Sequence, residues 1–202
     1  MAEIKTVAVI GAGGRSGLGR GIACATARAG YRTILEDILP ASLRKAEAEI
    51  RAALTQGIEQ GTVSSAAADS SLLRLEFAGT VEEAARPADL VIEAVPDEME
   101  SKLEIFTLLD RICRPETILA STTVSLRVGE IASITYRPRR ILGMRFIQPV
   151  AEMRTLELVR TGETDDQTIA ACAEVGRRMG KEVAVIAEDV GNGQTTENRF
   201  AG

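Results

Sequence analysis

Apolar residues along this chain fall into short continuous runs separated by segments of helical spacing. The runs Val7–Ile10, Arg32–Leu35, Leu73–Phe77, Leu90–Val95, Thr117–Ala120, Arg140–Met144, Leu156–Val159 and Glu182–Ile186 read as strands, several with no polar alternation. Strands lacking alternation are buried on both faces, as in a parallel sheet covered by helices on either side. Between them, Leu43, Ala46, Ile50, Ala53 and Leu54 repeat at helical spacing after Pro40. A second helix spans about Glu98 to Arg111, with Met99, Leu103, Phe106 and Leu109 inward. Thr164-x-x-Gln167 reads as the capping box of a third helix. The polar, Gly-containing segment from Gln56 to Ser71 reads as a helix end and a loop. The predicted fold is α/β, a doubly wound, mostly parallel sheet.

The first strand runs into Gly11-Ala12-Gly13-Gly14-Arg15-Ser16-Gly17-Leu18-Gly19-Arg20-Gly21, a glycine-dense turn that opens a helix. Glycine supplies positive φ, admits a ligand close to the backbone and lets helix pack on strand, while the helix start offers unpaired N–H groups to a pyrophosphate. The next strand ends in Glu36-Asp37, and an acid about 20 residues past the glycines can bind the adenosine ribose hydroxyls while repelling a 2′-phosphate. The expected cofactor is therefore NAD rather than NADP. The loop is three residues longer than G-x-G-x-x-G before Gly19, so the cradle is wider or reshaped. Read from Gly13, the turn resembles that of short-chain dehydrogenases, but neither Tyr31 nor Tyr136 has the lysine four residues later that those enzymes need.

The chain has 202 residues, of which 45% are hydrophobic, enough for one globular domain. No apolar run reaches membrane length, and Met1-Ala2-Glu3-Ile4-Lys5 leads straight into a strand without a signal peptide, so a cytoplasmic protein is expected. A net charge of −5 argues against nucleic acid or anionic membrane as partner. Cys24, Cys113 and Cys172 form no C-x-x-C pair; they read as core or helix-face filling, and no metal site is expected. Arg137, Arg139 and Arg140 read as a solvated approach to a strand rather than an anion patch.

Several motifs, in order, resemble the 3-hydroxyacyl-CoA dehydrogenase family. They are the glycine loop with Arg20-Gly21-Ile22-Ala23, Asp89 to Val95, Lys102 to Phe106, Ala120 to Leu126, Gly143 to Val150 and Leu156 to Val159, followed by Asp189 and Asn198-Arg199-Phe200. The resemblance implies a Rossmann-like NAD-binding domain over 1–188 and, over 189–202, an exit segment toward a helical domain. It implies NAD contacts from Gly11, Gly13, Leu18, Gly19, Asp37, Ala94, Val95, Lys102 and Asp97, the last standing in place of the usual glutamate. Ser125 and Asn198 would face a small-molecule substrate. Since the family's helical cover is not in this sequence, self-association, as a homodimer or other homo-oligomer, is expected.

The departure lies at the family's catalytic position. Two residues after Gly143, where the family carries histidine, stands Arg145, and the sequence contains 0 His. Arginine stays protonated and cannot act as the base, though it can polarise a carbonyl or hold an oxyanion or carboxylate. Glu157 matches the carboxylate that orients the family's histidine, and here it would pair with Arg145. Val124 replaces the substrate serine, Thr122 an asparagine, and Gln148 the asparagine after the histidine position. The segment Arg51 to Glu59 has one basic residue where the family carries lysines toward the CoA phosphates, which weakens the case for a CoA ester. Three readings follow: an oxidoreductase on a hydroxyacyl or hydroxy-acid substrate with Arg145 polarising the oxygen, a catalytically inactive NAD-binding subunit or sensor, and an enzyme of changed chemistry that binds an acidic substrate through Arg145.

Overall fold

The computed structural model describes residues 3–14 and 17–188. The expected exit segment 189–202, with Asp189, Asn198, Arg199 and Phe200, lies outside the described residues. Eight strands form one sheet: β1 (Thr6–Ile10), β2 (Arg32–Glu36), β3 (Leu75–Ala78), β4 (Leu90–Glu93), β5 (Ile118–Ser121), β6 (Ile141–Phe146), β7 (Thr155–Arg160) and β8 (Glu182–Ala187). Their order is β3-β2-β1-β4-β5-β6-β7-β8. Every neighbouring pair is parallel except β6 and β7, which are antiparallel. This is the doubly wound, Rossmann-like sheet that the uninterrupted apolar runs predict.

Among the described residues the α-helices are α1 (Leu18–Arg28), α2 (Pro40–Glu59), α3 (Ser65–Leu73), α4 (Val81–Ala85), α5 (Met99–Ile112), α6 (Val128–Ser133) and α7 (Asp166–Arg178). Side-chain alternation sends Val7 and Val9 of β1 into one core, with Ile22, Ile50, Ala68 and Cys172 of α1, α2, α3 and α7. Ala8 and Ile10 go into the opposite core, with Ala84, Phe106, Leu109 and Ile131 of α4, α5 and α6. Because the crossovers lie on both faces, the carboxyl ends of β1, β4 and β5 meet where the order reverses, the place where such sheets bind ligands.

Three local expectations change. The segment expected as loop contains α3, which begins where the Ser64 side chain accepts from the Ala67 N–H at 3.2 Å, so Leu73 closes a helix instead of opening a strand. The residue capping α7 is Asp165, whose Oδ1 accepts from the Thr168 N–H at 2.7 Å; Thr164 Oγ1 instead donates to the Ile141 carbonyl at 2.6 Å. Arg137 is not solvated: its Nε donates to Asp110 Oδ1 at 2.7 Å and its side chain is 12% exposed. Cys113 and Cys172 are buried and Cys24 half-buried, and burial pushes the Cys172 thiol up to about 12. No described helix is long and apolar enough to cross a membrane. At the sheet's far edge β8 pairs with β7 alone among the described strands, leaving Val185 half exposed.

Candidate functional site

The turn after β1 is built by backbone. Gly11 adopts φ +100°, and a Cβ there would sit 3.0 Å from the Ala94 carbonyl oxygen. Gly17, at φ +72°, caps α1, and the helix presses so close on the turn that a Cβ on Gly19 would lie 1.9 Å from the Gly11 oxygen. The first intrahelical bond runs from the Gly21 N–H to the Gly17 carbonyl at 3.0 Å, so the N–H groups of Leu18, Gly19 and Arg20 point out of the helix end without intrahelical acceptors. A shallow cradle of backbone donors with no Cβ in the way is what a pyrophosphate needs.

Asp37 holds this cradle from the side. Its Oδ2 accepts from the N–H of Gly13 at 2.6 Å and of Ala12 at 3.1 Å, while Oδ1 accepts from Leu39 at 2.9 Å. The carboxylate expected to meet ribose hydroxyls thus also ties the glycine turn to the start of α2. Ala94 closes the other side, its N–H donating to the Ile10 carbonyl at 2.8 Å.

Beneath this edge is an ion pair with no exposure on either side chain. Lys102 Nζ donates to both oxygens of Glu93, at 2.8 and 2.9 Å. Glu93 also accepts from Ser121 Oγ at 2.7 Å and from the Val95 N–H at 2.8 Å. Burial pushes the Glu93 carboxyl up, against the Lys102 charge and these hydrogen bonds. Lys102, expected as an NAD contact, is dry and bonded to both oxygens of Glu93. Its ammonium lies 3.7 Å from Asp97, which accepts from Ser125 Oγ at 2.8 Å. Burial raises the Asp97 carboxyl, but hydrogen bonds from Thr123 and Ser125 and the Lys102 charge outweigh it and hold it below the usual carboxylate range. The structure therefore joins Lys102, Asp97 and Ser125, expected from two different functional sets, into one chain of contacts.

Arg145 and Glu157 face each other across the antiparallel β6 and β7. Among the described residues they form no ion pair. Arg145 Nε donates instead to the Thr123 carbonyl at 3.0 Å, because the turn after β5 leaves that oxygen free within reach of the half-buried guanidinium. Val124, at the tip of the same turn, is 66% exposed. The backbone is pinned below it, with the Leu126 N–H donating to Thr123 Oγ1 at 3.0 Å. Farther along, Glu188 accepts from the N–H groups of Val128 and Gly129 and so fastens the end of β8 to α6. Among the described residues no cluster of three or more His, Cys, Asp or Glu could hold a metal ion.

Glu36, and Glu93 with its partner Ser121, lie within the motifs of the sequence, but spacing assigns them no role of their own. The available signal for Glu93 was a carboxylate inside a buried apolar run, which demands a partner.

Residues 6–190 match the family model described as "3-hydroxyacyl-CoA dehydrogenase, NAD binding domain". A probable 3-hydroxybutyryl-CoA dehydrogenase of Bacillus subtilis is 38% identical over 184 residues, covering 91% of this chain and 63% of the relative. The 3-hydroxyadipyl-CoA dehydrogenase of Escherichia coli is 32% identical, covering 90% of this chain and 38% of its own length. Among solved structures, (S)-3-hydroxybutyryl-CoA dehydrogenase from Ralstonia eutropha superposes with a TM-score of 0.88 at 31% identity, covering 93% of this chain and 65% of that one. The chain thus spans less than two thirds of the length of these relatives.

Proposed function

Because the chain belongs to the 3-hydroxyacyl-CoA dehydrogenase family, through its NAD-binding domain, we propose that it serves an NAD-dependent oxidoreductase acting on a hydroxyacyl or hydroxy-acid substrate, with Arg145 at the position of the family's histidine. NAD, when bound, supplies the hydride acceptor. The cradle fits it: the N–H groups of Leu18, Gly19 and Arg20 have no intrahelical acceptor, Gly11 and Gly19 stand where a Cβ would intrude, Gly13 is bonded to Asp37 at the adenosine side, and Ala94 and Val95 form the facing wall. In this reading Lys102 and Asp97 support that wall from beneath.

The observation that carries the reading is the state of Arg145. Its Nε is committed to Thr123 while, among the described residues, Glu157 makes no ion pair with it, so the terminal nitrogens are left for a substrate oxygen there. Arg145 stabilises negative charge on that oxygen, and Ser125, two residues after Thr123 on the same turn, is oriented by Asp97. The proton is exchanged with water or with the substrate itself, since a guanidinium does not give one up.

The same observation favours a second reading, in which Arg145 binds a carboxylate and the substrate is acidic, as 3-hydroxyadipyl-CoA is for the Escherichia coli relative named above.

Calorimetric titration with NADH, NAD⁺ and NADP⁺, followed by turnover with hydroxyacyl-CoA, hydroxy-acid and dicarboxylic substrates, tests both. Arg145→Ala is expected to lower turnover about 10²-fold at unchanged NADH affinity. Tight NADH binding with no turnover on any substrate would leave a catalytically inactive NAD-binding subunit, and no NADH binding would refute the cofactor assignment.

A further inference from the structure

The register aligns one layer of residues across the carboxyl edge of the sheet: Ala78 on β3, Glu36 on β2, Ile10 on β1, Glu93 on β4 and Ser121 on β5. Alternation places Glu36 and Glu93 on the same face, because Ile34 and Val91, two residues earlier, both enter the core under α4 and α5. Two strand spacings put their Cα atoms about 10 Å apart. Both carboxyls are buried, Glu36 being 4% exposed, yet their surroundings differ sharply. Glu93 has a lysine, a serine hydroxyl and a backbone N–H.

Glu36 has no cation among the described residues. β1 faces it with Ile10 and β3 with Ala78. The buried residues of α4 are Ala84 and Ala85, and the charged Glu82 and Glu83 of that helix are exposed. The lysine of α5 is committed to Glu93. On its own strand the next residue is Asp37, a like charge. Burial first, then Asp37, pushes the Glu36 carboxyl up to about 7, against a lowering effect of the nearby Gly11 N–H, which itself donates to the Glu36 main-chain carbonyl at 3.0 Å. Gly11 begins the turn that would receive the two negative charges of a pyrophosphate.

We propose that Glu36 links the binding of the dinucleotide to uptake of a proton, so that the chain holds its cofactor more tightly as pH falls through neutrality. The inference rests on the NAD reading above. An ionised Glu36 repels an anion on the adjoining turn and, among the described residues, has no counter-charge to mute the repulsion; the neutral acid does not repel it. The nicotinamide end plays no part, so NAD⁺, NADH and ADP-ribose should share the effect. With 0 His in the sequence, the usual titrating residue of this pH range is absent.

The experiment is titration of the 202-residue chain with NADH by fluorescence and with ADP-ribose by calorimetry, in buffers of different ionisation heat. Between about pH 6 and about pH 8 both dissociation constants should rise together about three- to tenfold, and the heats should report proton uptake on binding. Glu36→Gln, the shape of the neutral acid, should bind at every pH as the parent does near the acid end. Glu36→Val, which removes the polar group, should also give a flat profile. Tight binding that is independent of pH and buffer in the parent, or a slope that survives in Glu36→Gln, overturns the proposal and leaves the NAD assignment intact. A slope seen with NADH but not with ADP-ribose places the titrating group elsewhere and also overturns it. No binding of either ligand at any pH overturns the NAD assignment, and the proposal with it.

Discussion

Replacing Lys102 by methionine keeps the volume of the side chain on α5 but removes the ammonium from a contact with no solvent exposure. Glu93 would lose two charge-assisted hydrogen bonds, at 2.8 and 2.9 Å, and keep those from Ser121 and Val95. Two such bonds at about 1.5–3 kcal/mol each, together with an uncompensated carboxylate, set a gross loss above about 3 kcal/mol. Protonation of Glu93 provides the escape. Starting from the ordinary carboxyl value of 4.5, neutralising it at about pH 7.5 costs about 4 kcal/mol, and at about pH 5.5 only about 1.4 kcal/mol. The variant should therefore be less stable than the parent by about 3–4 kcal/mol at the higher pH and by about 1–2 kcal/mol at the lower. The sign follows from linkage: a folded-state carboxyl raised above its unfolded value adds stability below the unfolded value, and that stability is lost as pH rises through the folded one. Urea unfolding followed by far-UV circular dichroism measures this, since the sequence has no tryptophan to report by fluorescence. Adding Glu93→Gln should restore much of the loss near neutral pH, because the burial penalty belongs to the charge. A deficit below about 1 kcal/mol at the higher pH, or one equal at both, would refute the picture of a dry ion pair.

Gly19→Ala forces a Cβ to within 1.9 Å of the Gly11 carbonyl oxygen, a backbone atom that cannot swing aside. It should cost about 3 kcal/mol in urea unfolding and lower NADH affinity at least about tenfold by calorimetry. Loss of stability with full affinity would mean that the turn is not the cradle. Asp165→Ala removes the cap of α7 and should cost about 1 kcal/mol while leaving NADH binding unchanged, as this helix start lies away from the cradle.

The sheet was legible because central parallel strands are buried on both faces and so appear as apolar runs between helical segments. The glycine turn was legible for a different reason, namely that a turn pressed this close to a helix start needs glycine, and Asp37, expected on the adenosine side, is found bonded to that turn. What the pattern concealed was chemistry that depends on direction. In α3 small residues such as Ala67 and Ala68 form no apolar stripe to mark a helix, and only the Ser64 cap fixes its start. Lys102 is three residues after Met99 and four before Phe106, squarely on the inward stripe of α5, where a charge needs the buried partner that Glu93 supplies. Arg145 and Glu157, expected to pair, face each other across β6 and β7 but form no ion pair among the described residues. A carbonyl of the neighbouring turn captured Arg145, and sequence spacing carries no trace of that oxygen.

The outer edge of β8 bears on how this protein behaves at high concentration. Its six residues, Glu182-Val183-Ala184-Val185-Ile186-Ala187, are bonded to β7 on one side, and among the described residues no strand lies on the other. Strand edges of this kind template the addition of further chains, and of the six only Glu182 carries a charge to oppose it. Refolding yield and storage life should therefore respond to a second charge at Val185, half exposed on that edge, in a way that cofactor affinity does not.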